Sequence, residues 1–291
     1  VCEHLPKLAA QMKDWAVLRS VYSSEGSPSH PTAAPLLHTA GIGGGARGGK
    51  PCLGAALSAC LAPPDLGLPP LRELDAGFAA GRPGPLVEAH RATVDRAVEL
   101  MGSAQLKGLD PDAVPAAEKA RFGDNRVGRN CLLATQLVEA GVPFVEVKWN
   151  ITRRYLTGDR EVEATLKAWD THKDNFTTLR HYLPIFDAAL TATVARLKER
   201  GLLESTLVVV MGEMGRTPRV GKDAGRQHFG RAWSVLFAGA GVKGGQAVGS
   251  STPDGEHVQD LPVKPEDLMA TICQAAGVDP GTEFHPRTGQ K

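Results

Sequence analysis

The chain has 291 residues, 42% of them hydrophobic, and 33 basic against 32 acidic side chains leave a formal net charge of +1. At roughly 100–200 residues per domain, that length fits one large domain or two small ones, and the apolar content excludes wholesale disorder. Balanced charge excludes a protein that grips nucleic acid or anionic membrane by bulk electrostatics. The longest apolar run, Leu207 to Met211, is far short of the ~20 residues of a membrane-spanning helix.

The N-terminal stretch reads as structure from the outset. Residue 1 is Val, and no basic segment followed by an apolar one marks a targeting signal. Cys2 to Met12 reads as an amphipathic helix with Leu5, Leu8 and Met12 on one face, and Ala16–Val17–Leu18 as a strand. A chain that opens in mid-fold is expected to be an N-terminally truncated fragment, lacking a first strand. From Leu36 to Gly84 the sequence is rich in Gly, Pro and Ala, and six glycines between Gly41 and Gly49 read as a loop. Val87, Val94, Val98 and Met101 then mark a helical stripe.

Cys131 to Ala140 is expected to be a helix closed by Gly141, and Val142 to Trp149 (VPFVEVKW) the first clear strand. A long helix is expected from about Asn175 to Arg200. Phe176, Leu179, Leu183, Phe186, Leu190, Val194 and Leu197 form its apolar stripe, and Pro184 should kink or divide it. Thr206 to Met211 has the apolar continuity of a strand covered on both faces, and Trp233 to Ala238 is another strand. Pro265, Glu266 and Asp267 open a last helix that Gly277 ends. This helix–strand rhythm implies an α/β fold with a largely parallel sheet and helices on both faces, spanning residues 1–291 as one domain. The five cysteines (Cys2, Cys52, Cys60, Cys131 and Cys273) are odd in number and lack CxxC spacing, so they suggest neither a thiolate zinc site nor a disulfide scaffold.

Polar clusters lie at or near the strand ends, where parallel sheets bind ligands. They are Trp169–Asp170–Thr171–His172, Gly212 to Pro218 (GEMGRTP), and Gly225–Arg226–Gln227–His228. Asp170, His172, Glu213 and His228 offer a mixed oxygen–nitrogen set that suits Zn²⁺ or Mn²⁺ better than Ca²⁺. Each residue also has a structural alternative: Asp170 as a helix N-cap, Glu213 as an ion-pair partner of Arg216, His228 as a satisfied loop histidine. Arg216, Arg226 and Arg231 crowd the same region, where guanidinium forks match phosphate or sulfate oxygens.

GEMGRTP, GRQH, AWSVLFAGAGVKGG and WDTHKDNF resemble the DUF1501 family, bacterial proteins abundant in planctomycetes and similar to the alkaline phosphatase and sulfatase superfamily. The resemblance runs from about Arg121 to Val278 and more weakly through LPKLAAQMKDWAVLRSVYSSEGSPSHPTAAPLLHTAG. It implies a three-layer α/β/α sandwich with a metal centre of one or two ions at the strand ends, held by Asp170, His172, Glu213 and His228. Arg216 and Arg226 would bind substrate oxygens. His30 falls about where the superfamily places its nucleophile, with Ser29 or Thr32 as alternatives. The family's usual GGxSHxDTFDPKP-like opening has no counterpart in this chain, and Gln227 stands where relatives carry Asp. The implied activity is metal-dependent hydrolysis of a small-molecule or glycan phosphate or sulfate ester. The competing expectations are a catalytically degenerate binding protein and an incomplete fragment of the same fold. An extracytoplasmic location is implied by the twin-arginine-type export signals of relatives.

Overall fold

The computed structural model describes residues 2–24, 28–30, 33, 109, 113–149, 169–279 and 281. The Gly/Pro-rich region 41–84, the stripe from Val87 to Met101, the segment 151–167 and Thr32 lie outside them. The described elements mix helix and strand, but they do not keep the expected alternation: three helices follow β1, and the strands then come in succession before a last helix. A short helix α1 (Pro6–Gln11) and a 3-10 turn (Met12–Asp14) lead into strand β1 (Trp15–Val21). Helices α2 (Ala116–Phe122), α3 (Arg126–Glu139) and α4 (Asn175–Glu199) precede β2 (Val208–Val210). A two-residue hairpin, β3 (Gly215–Arg216) and β4 (His228–Phe229), is followed by β5 (Trp233–Ala238) and β6 (Gln246–Val248). A small ladder, β7 (Ser250–Ser251) with β8 (Val258–Asp260), comes before helix α5 (Pro265–Ala275).

The main sheet has the order β2-β5-β1-β6. Here the expectation of a mostly parallel sheet is corrected: β5 runs antiparallel to both β1 and β2, and only β1 and β6 pair in parallel. The reason lies in the connection. Parallel neighbours need a crossover, usually a helix. Between β2 and β5 the chain makes only the β3–β4 hairpin and its loops, so it returns in the opposite direction.

Side chains alternate across this sheet with the period of two that strands impose. Ala16, Val209, Val235 and Phe237 face one side, where Leu268, Met269 and Ile272 of α5 cover them. Trp15, Val208, Val210 and Ala238 face the other, against Leu190, Val194 and Leu197 of α4 and Leu8 of α1. Trp15 is fully buried, and its indole N–H donates to Gln11 Oε1 at 3.1 Å. The apolar run at 206–211 packs on both faces but only partly: Val208 to Val210 are half-buried and Met211 is exposed.

Other expectations shift in detail. Helix α4 continues through Pro184 rather than dividing there; the ring removes one backbone donor, and packing on either side holds the rest. Its apolar stripe is buried only in the C-terminal half. Phe176 is 54% exposed, while Asn175, Thr178 and Tyr182 are buried in its place, because the first turns pack against polar loops. Val142–Trp149 joins no ladder among the described residues. Val142 N–H instead closes the end of α3 on Leu137 O, beside Gly141 at φ 84°, and Trp149 packs edge-on against Trp169 and Tyr182. Cys2, Cys131 and Cys273 form no disulfide. No helix among the described residues is long and apolar enough to cross a membrane.

Candidate metal centre

Two loops beyond the sheet fold against each other and carry the site. The first, residues 169–174, enters α4. Asp170 is not the N-cap of that helix: its position is taken by Asp174, in the left-handed region at φ 50°. The Asp174 and Asn175 N–H groups donate to Asp223 O and Ala224 O at 3.1 and 3.0 Å, so the second loop caps the helix with its own carbonyls. Arg226 N–H donates to Thr171 O at 2.9 Å, and buried Thr171 donates to Asn175 Oδ1 at 2.7 Å. Gly225 lies so close to the His172 carbonyl that no Cβ fits there.

The β3–β4 ladder places Arg216 directly opposite His228, on one face and within reach of the same partner. Arg216 donates to Asp170 Oδ1 at 2.6 Å and to Arg226 O at 3.1 Å. Arg226 spends its guanidinium on the carbonyls of Thr217 and Arg216, at 2.6 and 3.2 Å. Both arginines expected to hold substrate are therefore engaged inside the protein, one on a carboxylate and one on backbone.

Asp170 Oδ1 is the point of convergence. The Nε2 atoms of His172, His228 and His30 lie 3.0, 3.2 and 3.4 Å from it, and His172 Nε2 is 3.1 Å from His228 Nε2. His30, Asp170 and His228 bring their donor atoms within 4.8 Å of one another. Burial raises the Asp170 carboxyl, but the hydrogen bond and the charge of Arg216 outweigh it and hold the group far below the usual carboxylate range.

Protons can be assigned from the outer nitrogen of each ring. His172 Nδ1 donates to Gln227 Oε1 at 2.6 Å, His228 Nδ1 to Pro28 O at 2.9 Å, and His30 Nδ1 to Glu213 Oε1 at 2.5 Å. Each partner oxygen is an acceptor, so each neutral ring carries its proton outside and turns a bare Nε2 inward. His30 Nε2 is buried with no hydrogen-bond partner. Lone pairs thus face lone pairs and an ionised carboxylate, which is unfavourable unless a cation lies between them. Ligand bonds of ~2.0–2.2 Å in a tetrahedron set donor separations of about 3.3–3.6 Å. The separations of the three rings from Asp170 Oδ1, and of His172 from His228, reach that range or fall a few tenths short.

Of the four ligands expected from sequence, the fold brings Asp170, His172 and His228 together. Glu213 stands one ring further out, behind His30. Ser29 is exposed, with its carbonyl accepting from Ala33 N–H at 2.9 Å. Sequence reasoning missed two contributors. Gln227 stands where relatives carry Asp, and its amide oxygen, on a side chain one methylene longer, accepts from His172 Nδ1. Pro28 contributes through its backbone, which no sequence pattern reveals.

Fold and cluster together define an α/β protein with a histidine–aspartate centre at the margin of its sheet. The family model for "Protein of unknown function (DUF1501)" matches residues 70–291, and the chain belongs to that family. Asp170, His172, Glu213 and His228 lie inside the match, whereas His30 precedes it. No curated protein and no solved structure matches the chain.

Proposed function

We propose that the chain binds a divalent cation, Zn²⁺ or Mn²⁺, on Asp170, His172, His228 and His30, and hydrolyses phosphate or sulfate esters with it. The observation that carries this reading is the inward set of bare Nε2 atoms, each fixed by an acceptor on its outer nitrogen, around one carboxylate oxygen. Outer-nitrogen bonds of this kind orient histidine ligands and raise their basicity. The mixed nitrogen–oxygen donor set suits a borderline transition ion. A second ion finds no comparable group of donors among the described residues.

When bound, such an ion polarises an ester oxygen and lowers the pKa of a water. The chain's own residues do the rest. Glu213 holds the His30 ring in place, Gln227 and the Pro28 carbonyl hold the other two, and Arg216 adds positive charge beside Asp170 where ester oxygens would approach. Arg226 braces the loop instead of meeting substrate. Water supplies the oxygen added to phosphorus or sulfur, and the alcohol leaves with a proton. Helices on both faces of the sheet support a three-layer sandwich of the alkaline phosphatase type, and the resemblance to exported relatives supports an extracytoplasmic setting.

Metal analysis of the purified protein, combined with turnover of aryl phosphate and aryl sulfate before and after chelation, tests the reading. About one equivalent of metal and chelator-sensitive turnover are expected. Absence of both overturns it. Metal without turnover favours a second reading, a metal-holding binding protein, for which the internal engagement of Arg226 speaks.

A further inference from the structure

A cleft of about 430 Å³ is lined by Tyr22, Ser23, Ser24, Arg231, His257 and Val258 among others. Its walls are fixed by backbone. Val21 forms a parallel bridge with Val263, Tyr22 N–H donates to Val263 O at 3.0 Å, and Ser23 N–H donates to Gly230 O at 2.7 Å. Both of its principal walls are close in sequence to residues of the centre. Arg231 follows three residues after His228, and the segment leaving β1 leads on to Pro28 and His30, with Pro28 O accepting from His228 Nδ1.

Among the described residues the lining combines a cation, an imidazole and three hydroxyl-bearing residues, with no carboxylate. Among the described residues the Arg231 guanidinium has no hydrogen-bond or ion-pair partner, in contrast to Arg216 and Arg226. Two carboxylates close in sequence are occupied elsewhere: Asp254 accepts from Thr252 Oγ1 and Glu256 N–H at 2.6 and 3.1 Å, and Glu256 faces Arg219 at 3.8 Å. An unpaired guanidinium recognises a phosphate or sulfate group through its fork, and the hydroxyls match those of a sugar.

We propose that this cleft receives the organic part of the substrate, a sugar that carries a further phosphate or sulfate group, with Arg231 on that second anion. The proposal deepens the hydrolase reading and rests on it, but its test is separable. Calorimetric titration of the full chain in chelator, with a trisulfated heparin-type disaccharide in one arm and fructose 1,6-bisphosphate in the other, measures the cleft without the metal. Saturable binding of at least one sugar is expected, weakened about tenfold or more by Arg231→Ala, as loss of a hydrogen bond to a charged group implies. Arg231→Lys should recover part of it, and metal content and thermal midpoint should stay at wild-type values, since Arg231 is exposed. The arm that binds tighter identifies sulfate or phosphate as the second anion. Absence of binding by both sugars at millimolar concentration, or equal binding by the Arg231→Ala variant, overturns the proposal. Arg231-dependent binding in a protein that holds no metal and turns over no ester sinks the hydrolase reading alone.

Discussion

Two polar clusters sit against helix α4, and they are built on opposite logic. Near its C-terminal end, Arg196, 7% exposed in its side chain, donates to Glu118 at 2.8 Å and to Glu139 at 2.9 Å. Arg121 joins Glu118 to Glu199 at 3.0 and 2.6 Å. Donors meet acceptors, and the network ties α2, α3 and α4 together. Beyond its N-terminal end, three imidazoles and a carboxylate present acceptors to acceptors, with Arg216 the one guanidinium donating to the shared oxygen. In the first cluster the Arg196 Nε is the one guanidinium nitrogen left buried without a partner among the described residues. The second gathers three imidazole nitrogens around one carboxylate oxygen, and that composition, not charge content, sets the two clusters apart.

The comparison can be broken most sharply at the centre. His228→Ala or Asp170→Ala is expected to reduce divalent-ion affinity by 100-fold or more and abolish ester turnover. His228→Ala should leave the metal-free protein about as stable as before, whereas Asp170→Ala also strands the Arg216 guanidinium and should lower its stability. Equilibrium dialysis and chelator-treated thermal melts check both halves. Gly225→Ala acts on the same site from behind: a methyl group there meets the His172 backbone, so a fall in metal affinity of about 10-fold is expected, of the size seen when an orienting partner is lost.

At the first cluster the expected order reverses. Arg196→Ala strands two carboxylates and should cost about 3 kcal/mol of stability, by the reasoning for a broken buried pair, with metal content untouched; denaturant unfolding gives the value. Its pH dependence has a definite sign. Burial pushes the Glu118 carboxyl up, but hydrogen bonds from Arg196 and Arg121 and their charges leave it below its ordinary value. The stabilisation is therefore present above the unfolded carboxylate pKa of ~4.3 and fades as pH falls through the lower folded value. Glu118→Gln should flatten that acid limb in pH-scanned melts.

Two smaller effects sharpen the contrast between structural and functional groups. Buried Asp187 accepts from the N–H groups of Lys7 and Leu8 at 2.9 and 2.7 Å, a carboxylate from one helix capping another. Asp187→Ala should cost about 1–2 kcal/mol, read from chemical unfolding. The Cys131 thiol is pushed up to about 11 by burial, so labelling with a thiol reagent at pH 8 should be far slower at Cys131 than at exposed Cys2.

Much of this was written in the residues themselves. The apolar runs at 206–211 and 233–238, the stripe from Leu190 to Leu197 and the Pro265 start of α5 each carry a local period or cap, and each forms where expected. Strand direction carries no such local mark, so the antiparallel placement of β5 depended on the absence of a crossover helix. Val142–Trp149 has strand composition without a ladder because pairing needs a partner, and composition supplies none. At the centre, residue types pointed to Asp170, His172 and His228, since ligating side chains are few. The exchange of places between Glu213 and His30 is set by a contact between positions 30 and 213 that no spacing encodes.

The placement of β1 has a consequence for synthesis. Its two neighbours, β5 and β6, begin at positions 233 and 246, so the central strand leaves the ribosome long before either exists. At ~5–20 residues per second, the interval from Val21 to Trp233 lasts roughly 10 to 40 s, with both edges of an apolar strand bare. Premature release anywhere in that interval would leave a sticky, unpaired ribbon rather than a smaller working unit.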